Sequence, residues 1–291
     1  KTKPCAYLQR VVMDNLILLN VLILGSIAFI AAIVLYFVSQ KFAVSEDPRI
    51  DKTEALLPGA NCGACGKAGC HDFAATCVKA NAKSFANLYC PGGGAGVMEK
   101  IAALLGFTAA KKEPTVAVLR CQGTCENAPE KINYFGIKSC RLANRTFIGR
   151  TGCPTGCLRF GDCVSVCKFD ALHIDEKLGI PVVDENKCTS CGACVNMCPR
   201  RLFEIRPKGA NGNRVYVACR NTQKGAAARK NCKAACIGCM KCAKINPEIK
   251  VENNLSYIPS SVSADEFGAE LVKNCPTGAI ICTKCSVEDK E

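Results

Sequence analysis

The stretch CTSCGACVNMCP, residues 188 to 199, decides the fold. It places four cysteines within eleven residues and follows the last of them with Pro199. The spacing C-x2-C-x2-C-x3-C-P is an iron–sulfur motif, in which three thiolates hold one [4Fe-4S] cluster and the fourth belongs to another. Zinc sites instead use two C-x2-C pairs separated by a longer loop. The stretch therefore predicts a small domain that folds around two clusters.

A partner half-motif is needed for the second cluster, and CLRFGDCVSVC at residues 157 to 167 supplies it. Its C-x5-C spacing equals that of the first motif with the middle cysteine replaced by Phe160. For one cluster we predict the ligands Cys167, Cys188, Cys191 and Cys194. For the other we predict Cys157, Cys163 and Cys198, with Cys153 as the first choice for the missing fourth ligand.

A second module of the same kind follows, with one difference. Its predicted ligands are Cys236, Cys239, Cys242 and Cys275. The four remaining ligand positions hold Asn246, Asp265, Gly268 and Leu271. In the motif these four positions all bind the same cluster, so the module is predicted to have lost one complete cluster and kept the other. The alternative is that residues 246 to 291 are unrelated to the motif and the site is broken.

Upstream, NCGACGKAGC and the later CPGGG form another cysteine group. It consists of Cys62, Cys65, Cys70 and Cys90. The glycines let the backbone approach a cluster closely and direct N–H groups at sulfur. Zinc is the main competing interpretation for this group. Cys77 lies at no ligand spacing and is predicted to be a buried free thiol.

The remaining cysteines predict a fifth cluster. Its proposed ligands are Cys121, Cys125, Cys140 and Cys232, with Cys153 and Cys219 as alternatives for the fourth position. The chain therefore holds four to five [4Fe-4S] clusters by this interpretation. Apart from that alternative for Cys219, the spacing predicts no role for it or for Cys5, Cys282 and Cys285.

The composition supports metal binding over other uses of cysteine. The 291 residues include 25 cysteines, many only two or three positions apart, which favours chelation over a disulfide framework. The formal charge of +13 suggests an acidic partner. However, five cubanes at about −2 each would lower it to about +3, and no aromatic-studded basic stripe predicts nucleic-acid binding. His71 and His173 are expected to be ordinary solvated or hydrogen-bonded histidines.

An apolar run near the N-terminus predicts a membrane anchor. Residues 16 to 38 contain no charge over 23 positions, enough to cross a bilayer as a helix. A signal peptide is the alternative, but its apolar region is shorter and ends in small residues. Three basic residues precede the run and three follow it, so the positive-inside rule does not determine the orientation of the helix. If Met13 is the native start, the positive charges lie on the C-terminal side and the soluble bulk faces the cytoplasm.

These observations predict an α+β protein with a single transmembrane helix, followed by small iron–sulfur domains that include two tandem ferredoxin-like modules built from βαβ pairs. A strand is expected at TVAVLR (115–120) and after the last cysteine of each half-motif. An amphipathic helix is expected at 97–110, a flexible connection at GGGAG (92–96) and a linker at KKEP (111–114). The predicted divisions are 1–41, 42–114, 115–149, 150–217 and 218–291.

The order of these parts resembles the B subunit of the Rnf complex, the membrane-bound ferredoxin:NAD+ oxidoreductase that moves Na+ or H+. The resemblance covers nearly the whole chain and is carried by the span, KFAVSEDPR, LPGANCGACG, CPGGG, RCQGTCENA and the ferredoxin modules. The four lost ligand positions depart from the fullest family pattern.

The resemblance implies a subunit that accepts electrons from reduced ferredoxin and passes them to other Rnf membrane subunits, on the cytoplasmic side of the inner membrane. It implies that flavins and the NAD+ site belong to partners, and the residues themselves contain no nucleophile with an adjacent base. Two alternatives stay open. One is an iron–sulfur subunit of another membrane oxidoreductase, and the other is a zinc or metal scaffold without redox function.

Overall fold

The computed structural model describes residues 5–41, 46–109, 113–209 and 211–285, and the chain divides into two compact units after Pro48. The first unit contains helix α1 (Cys5–Lys41), which includes the predicted span. Its part Leu19–Lys41 is long and apolar enough to cross a membrane, and its side chains are exposed. A helix satisfies its own backbone hydrogen bonds, which a bilayer demands. The first two residues of the predicted linker at 111–114 lie outside the described residues.

The rest of the described chain consists of short helices and strands. The helices are α2 (Pro48–Glu54), α3 (Cys70–Lys79), α4 (Ala82–Phe85), α5 (Gly94–Leu105), α6 (Cys140–Thr146), α7 (Asp162–Ser165), α8 (Ala193–Met197), α9 (Gly225–Asn231), α10 (Lys241–Ile245) and α11 (Ala264–Asn274). The strands are β1 (Thr115–Leu119), β2 (Leu172–Ile174), β3 (Pro181–Val183), β4 (Phe203–Pro207), β5 (Arg214–Val217), β6 (Lys250–Glu252), β7 (Leu255–Tyr257) and β8 (Ile280–Thr283). The α+β class is confirmed.

Helices α2 to α5 pack around a small core of their own. Phe73, Phe85 and Ile101 are its largest fully buried side chains. The amphipathic helix predicted over 97–110 is confirmed as α5, but it begins at Gly94 and ends at a left-handed Gly106. The prediction of a flexible connection over 92–96 is therefore wrong. A Cβ on Gly93 would lie 2.8 Å from the Val97 side chain, so glycine lets the first turn pack tightly.

The two modules share one topology. In the first, β1 pairs with β4 and encloses the hairpin β2–β3; in the second, β5 pairs with β8 and encloses β6–β7. The strands expected after the last cysteine, or its substitute, of each half-motif are present as β2, β4, β6 and β8. All four pairs are antiparallel, whereas βαβ pairs were predicted. Helices α7, α8 and α10 span only four or five residues, too short for the crossover that parallel strands need.

Strand pairing also differs from the predicted division of the chain. β1 lies in the region set apart as 115–149, yet it pairs with β4 in the first module. β5 was placed in the first module, within 150–217, but pairs with β8 in the second. The partners are more than 60 residues apart, so local sequence patterns do not reveal the pairing.

The outer sheets of the two modules pack against each other. Successive side chains of a strand face opposite sides of its sheet, so β1 and β5 can each serve two cores. Ala117 and Leu119 face the first module's core, whereas Val215 and Val217 face that of the second. The layer between the sheets contains Val116, Val118, Tyr216 and Ala218. The modules therefore form a common core.

The positions predicted to have lost a cluster are filled by protein. Three of them lie in α11, where Leu271 is fully buried. Gly268 contacts the disulfide Cys282–Cys285, and a Cβ there would lie 2.6 Å from either sulfur. Asn246 is buried, and its Oδ1 accepts a 2.8 Å hydrogen bond from the Glu248 N–H. A helix, a hydrophobic side chain and a disulfide thus occupy this part of the module.

We expect Leu271→Ala to lower the free energy of unfolding by about 2–5 kcal/mol, because truncating a buried leucine removes contacts and leaves a cavity. Anaerobic denaturation measured by circular dichroism is the test. The control is Leu178→Ala, whose side chain is exposed. Equal effects of the two substitutions would contradict a packed core at the lost site.

Candidate metal centres

The three half-motifs that start at Cys157, Cys188 and Cys236 share an unusual backbone. The second and fourth residues after the first cysteine have positive φ in each of them: Arg159 and Gly161, Ser190 and Gly192, Gly238 and Met240. A positive φ is uncommon outside glycine, so its recurrence indicates that the loops wrap around similar objects. The fourth half-motif has lost this geometry, because its residues 265 to 271 lie within α11.

Backbone N–H groups point at cysteine sulfur where these loops end. The third residue after Cys167 and after Cys198 has positive φ, and the next N–H turns back toward the sulfur. Ala171 N–H donates to Cys167 Sγ, and Leu202 N–H donates to Cys198 Sγ, each at 3.4 Å. Such bonds stabilise thiolates and tune the reduction potential of an iron–sulfur cluster.

The first cavity is lined by the predicted set Cys167, Cys188, Cys191 and Cys194. Burial raises the pKa of the Cys194 thiol to about 12, and the neighbouring Cys188 and Cys191 add to the rise. The hydroxyl oxygens of Thr189 and Ser190 are buried and have no hydrogen-bond partner within the described residues. Both residues line this cavity, where a sulfide-bearing cluster would offer acceptors.

The second cavity departs from the prediction in one ligand. Its cysteines are Cys140, Cys157, Cys163 and Cys198, so Cys140 stands where Cys153 was expected. The Asp162 carboxylate holds this segment, because it accepts hydrogen bonds from Ser139 Oγ and the Cys140 N–H, both at 2.9 Å.

The Cys140 thiol lies beside the position where Phe160 replaces a cysteine of the half-motif. Burial raises the pKa of the Cys140 thiol, and backbone N–H groups of Asp162 and Phe160 that bond to its sulfur oppose the rise. The thiol thus reaches the backbone position where the motif's middle cysteine would stand. Burial also raises the pKa of Cys163 to about 12, with Cys140 and Cys198 as neighbours that add to it.

The third cavity lies between the two modules. Its own cysteines are Cys121, Cys153, Cys219 and Cys232, and Cys157 of the second cavity reaches its wall. Burial raises the pKa of Cys219 to about 12. Of the predicted fifth set only Cys121 and Cys232 are here. Cys125 is exposed and accepts a long 3.7 Å contact from Arg159, and Cys140 belongs to the second cavity.

A repeat in the sequence could have identified this third set. Cys121 and Cys219 each stand two residues after the first strand of their module. Cys153 and Cys232 each precede a half-motif by three intervening residues. Each module therefore contributes the same two positions. From the sequence, Cys219 was only an alternative for the fourth ligand, because the four-residue strand before it was not predicted.

The fourth cavity contains the predicted cysteines Cys236, Cys239, Cys242 and Cys275. Ser256 N–H donates to Cys236 Sγ at 3.5 Å, and Ser256 Oγ lies 3.1 Å from Cys242 Sγ. Cys239 is exposed, unlike its half-buried counterpart Cys191.

The N-terminal group is also brought together. Burial raises the pKa of Cys90, the Gly93 N–H opposes this, and the nearby thiols of Cys65, Cys62 and Cys70 raise it further. Asn61 Oδ1 accepts a 2.6 Å bond from the Cys70 N–H, which fixes the loop at the start of α3. Cys77 is fully buried, and its burial raises the pKa to about 12.

These cysteine sets fit a cluster better than a single ion. Tetrahedral zinc, with Zn–S near 2.3 Å, requires sulfurs within about 4 Å of each other. Within the described ranges no three His, Cys, Asp or Glu side chains converge on a single metal position. The sulfurs of a set line one cavity but are too far apart to bind a single ion. This separation is expected for a [4Fe-4S] cluster, in which each thiolate binds a different iron atom. His71 bonds to Glu54 at 2.7 Å, as expected of a hydrogen-bonded histidine.

Cysteine-lined cavities on repeated ferredoxin-like modules define an iron–sulfur protein. Residues 151–202 match the family model described as "4Fe-4S dicluster domain", and residues 57–84 match that described as "Putative Fe-S cluster". The chain belongs to the family of B subunits of the ion-translocating (Rnf) oxidoreductase complexes, as the resemblance in its sequence indicated. It is therefore related to subunits of an oxidoreductase complex, and its apolar helix agrees with membrane association.

Three relatives support this family assignment. The B subunit of the Na(+)-translocating ferredoxin:NAD(+) oxidoreductase complex of Acetobacterium woodii is 42% identical, covering 92% of this chain and 78% of the relative. The proton-translocating counterpart of Clostridium ljungdahlii is 39% identical, covering 91% and 92%. The B subunit of the ion-translocating oxidoreductase complex of Methanosarcina acetivorans is 34% identical, covering 95% and 99%.

We expect Cys219→Ser to remove about four iron atoms per chain, because it deletes a ligand from the third cavity. Cys125→Ser is the matched control and should leave the iron content unchanged, since Cys125 lies outside the cavities. Iron and acid-labile sulfide analysis of anaerobically purified protein measures both. Iron loss from the Cys125 variant alone would restore the ligand set predicted from sequence.

We also expect chelation of iron to unfold the two modules, because their cores are small and metal-binding energy is folding energy in such domains. Circular dichroism of the protein before and after anaerobic chelation tests this. The helix Leu19–Lys41 is apolar and holds no predicted cluster ligand, so its helical signal should persist in detergent after chelation. Native strand and loop signals in iron-free protein would contradict the prediction.

Proposed function

We propose that this chain carries electrons from reduced ferredoxin, through five [4Fe-4S] clusters, to redox centres in the membrane subunits of an Rnf complex. The names of its relatives refer to ferredoxin:NAD(+) oxidoreductase, which supports ferredoxin as the donor. Each cluster supplies reversible one-electron storage. This chain's residues hold the clusters at defined positions and protect them from water.

The proposal includes revised ligand assignments. They are Cys62, Cys65, Cys70 and Cys90 for the N-terminal cluster; Cys167, Cys188, Cys191 and Cys194 for the first cavity; Cys140, Cys157, Cys163 and Cys198 for the second; Cys121, Cys153, Cys219 and Cys232 for the third; and Cys236, Cys239, Cys242 and Cys275 for the fourth.

The observation that carries the proposal is that neighbouring sites touch in a single row. Cys163 of the second cavity and Cys194 of the first are buried in the same core cluster. Cys157 lines both the second and third cavities. Cys219 of the third and Cys236 of the fourth are likewise buried in one core cluster. A row in contact suits electron transfer better than metal storage, which needs no order.

The N-terminal group joins this row at the first cavity. Lys168 Nζ donates to the carbonyl oxygens of Ala60 and Asn61 at 2.8 and 3.3 Å. Phe169, which lines the first cavity, lies against Gly92, near Cys90. The N-terminal cluster also follows the apolar helix most closely in sequence. We therefore assign it to electron exit toward the membrane subunits, with the soluble domains on the cytoplasmic side.

Reduced ferredoxin should bleach the visible absorption of this subunit in anaerobic stopped-flow mixing, and the rate should fall as salt is raised. The expected cause is screening of attraction between basic side chains here and the acidic ferredoxin. Iron analysis should give about 20 atoms per chain, as five cubanes require. If dithionite bleaches the absorption and reduced ferredoxin does not, ferredoxin is not the electron donor.

A further inference from the structure

We propose that electrons enter at the fourth cavity, where an acidic ferredoxin docks on an entry surface formed by Cys239, Met240, Lys241 and Lys244. The inference rests on the proposed function and adds the place of entry. It follows from three observations: the position of the cavity in the row, its exposure and the charge around it.

The fourth cavity is the end of the row. By the repeat between the modules, the next cluster would be held at Asn246, Asp265, Gly268 and Leu271. A buried leucine and the Cys282–Cys285 disulfide beside Gly268 fill that position instead. The opposite end is the N-terminal group that follows the apolar helix. Electrons from a soluble donor therefore pass through all five clusters only if they enter at the fourth cavity.

The fourth cavity is open where its counterpart in the first module is covered. Cys239 is an exposed ligand, and the Met240 side chain beside it is 55% exposed. In the first module Phe160 takes the place of Cys239, and Tyr134 packs against it with ring centres 5.2 Å apart. The segment carrying Tyr134 also supplies Cys140. The second module has no such covering segment among its described residues, so a donor can approach Cys239 directly.

The charge of the entry surface selects an acidic partner. Lys241 and Lys244 are exposed on α10, immediately after Met240, and form no ion pair within the described part of the chain. The apolar Met240 side chain next to Cys239 corresponds to the centre of a transient interface, and the two lysines correspond to its polar rim. Electron-transfer encounters bury little area, so a surface of this size is sufficient.

A second basic and apolar surface offers a matched comparison. The side chains of Phe135 and Ile137 are 95% and 70% exposed, and Lys138 and Arg141 are exposed nearby. This surface lies on the segment that covers the second cavity, which is in the middle of the row. Electrons from a donor docked there would reach the N-terminal cluster without passing through the third and fourth clusters. We therefore assign this second surface no role in electron entry.

The test compares two charge-reversal variants of the full chain in detergent. One carries Lys241→Glu and Lys244→Glu, and the control carries Lys138→Glu and Arg141→Glu. Each is mixed anaerobically with reduced ferredoxin and, separately, with dithionite. We expect the entry-surface variant to lose about tenfold or more of the second-order rate with ferredoxin, because electrostatic steering contributes factors of this size. Its dithionite rate, iron content and circular dichroism should equal those of the unmodified chain.

The outcomes separate this inference from the proposed function. If the unmodified chain reacts with dithionite but never with ferredoxin, the proposed function fails. If it reacts with ferredoxin and the entry-surface variant is equally fast, the place of entry is wrong. A larger loss in the control variant would move entry to the second cavity and overturn the inference. Met240→Ala adds an uncharged check, with a slower ferredoxin rate expected at high salt as well.

Discussion

Convergence of four thiolates on one cluster is the constraint on which this structure depends. The modules have short strands, helices of four to eleven residues and small cores, so apolar burial alone gives each little stability. Loops with positive φ at fixed positions after the first cysteine turn the backbone around each cavity. After the last cysteine of two half-motifs, separate positive-φ turns at Asp170 and Arg201 direct the N–H groups of Ala171 and Leu202 at sulfur. Cluster binding and local folding are one event in such an arrangement.

The two modules differ in how their structure accommodates the loss of a motif cysteine. In the first, Phe160 replaces a ligand, and a segment held by Asp162 brings Cys140 to the vacant position. In the second, all four ligand positions of one cluster have changed together. There the cysteine loop has become α11, with Leu271 in the core. A site that has lost part of its ligand set cannot hold its cluster, so the binding energy that would stabilise its loop is lost as well.

The row of cavities suits a chain whose relatives are subunits of an oxidoreductase complex. One-electron transfer needs neighbouring centres and protection from water, and the shared walls between cavities meet both needs. The third cavity has a structural role as well, because each module gives it two cysteines. Together with the layer of Val116, Val118, Tyr216 and Ala218, it holds the modules in one orientation.

The sequence by itself predicted the α+β class, the apolar helix, the strands after the half-motifs and the family. It predicted the cysteine sets of the first and fourth cavities and of the N-terminal group, which the structure brings together. Those sets lie within spaced motifs, where a few bonds of backbone determine which thiolates can meet. It also predicted that Asn246, Asp265, Gly268 and Leu271 changed as a set, because the motif assigns all four to one cluster.

Only the tertiary structure decided the second and third cavities. Cys140 reaches the second through Asp162, and Cys219 reaches the third through the pairing of β5 with β8. Both contacts join residues far apart in the chain, where spacing carries no information about distance. Placing Cys153 in the second cavity followed its proximity to Cys157 in sequence, but Cys153 lines only the third cavity, whereas Cys157 lines both. Local geometry follows from sequence spacing, whereas partners brought together by sheet pairing depend on the packing of the whole unit.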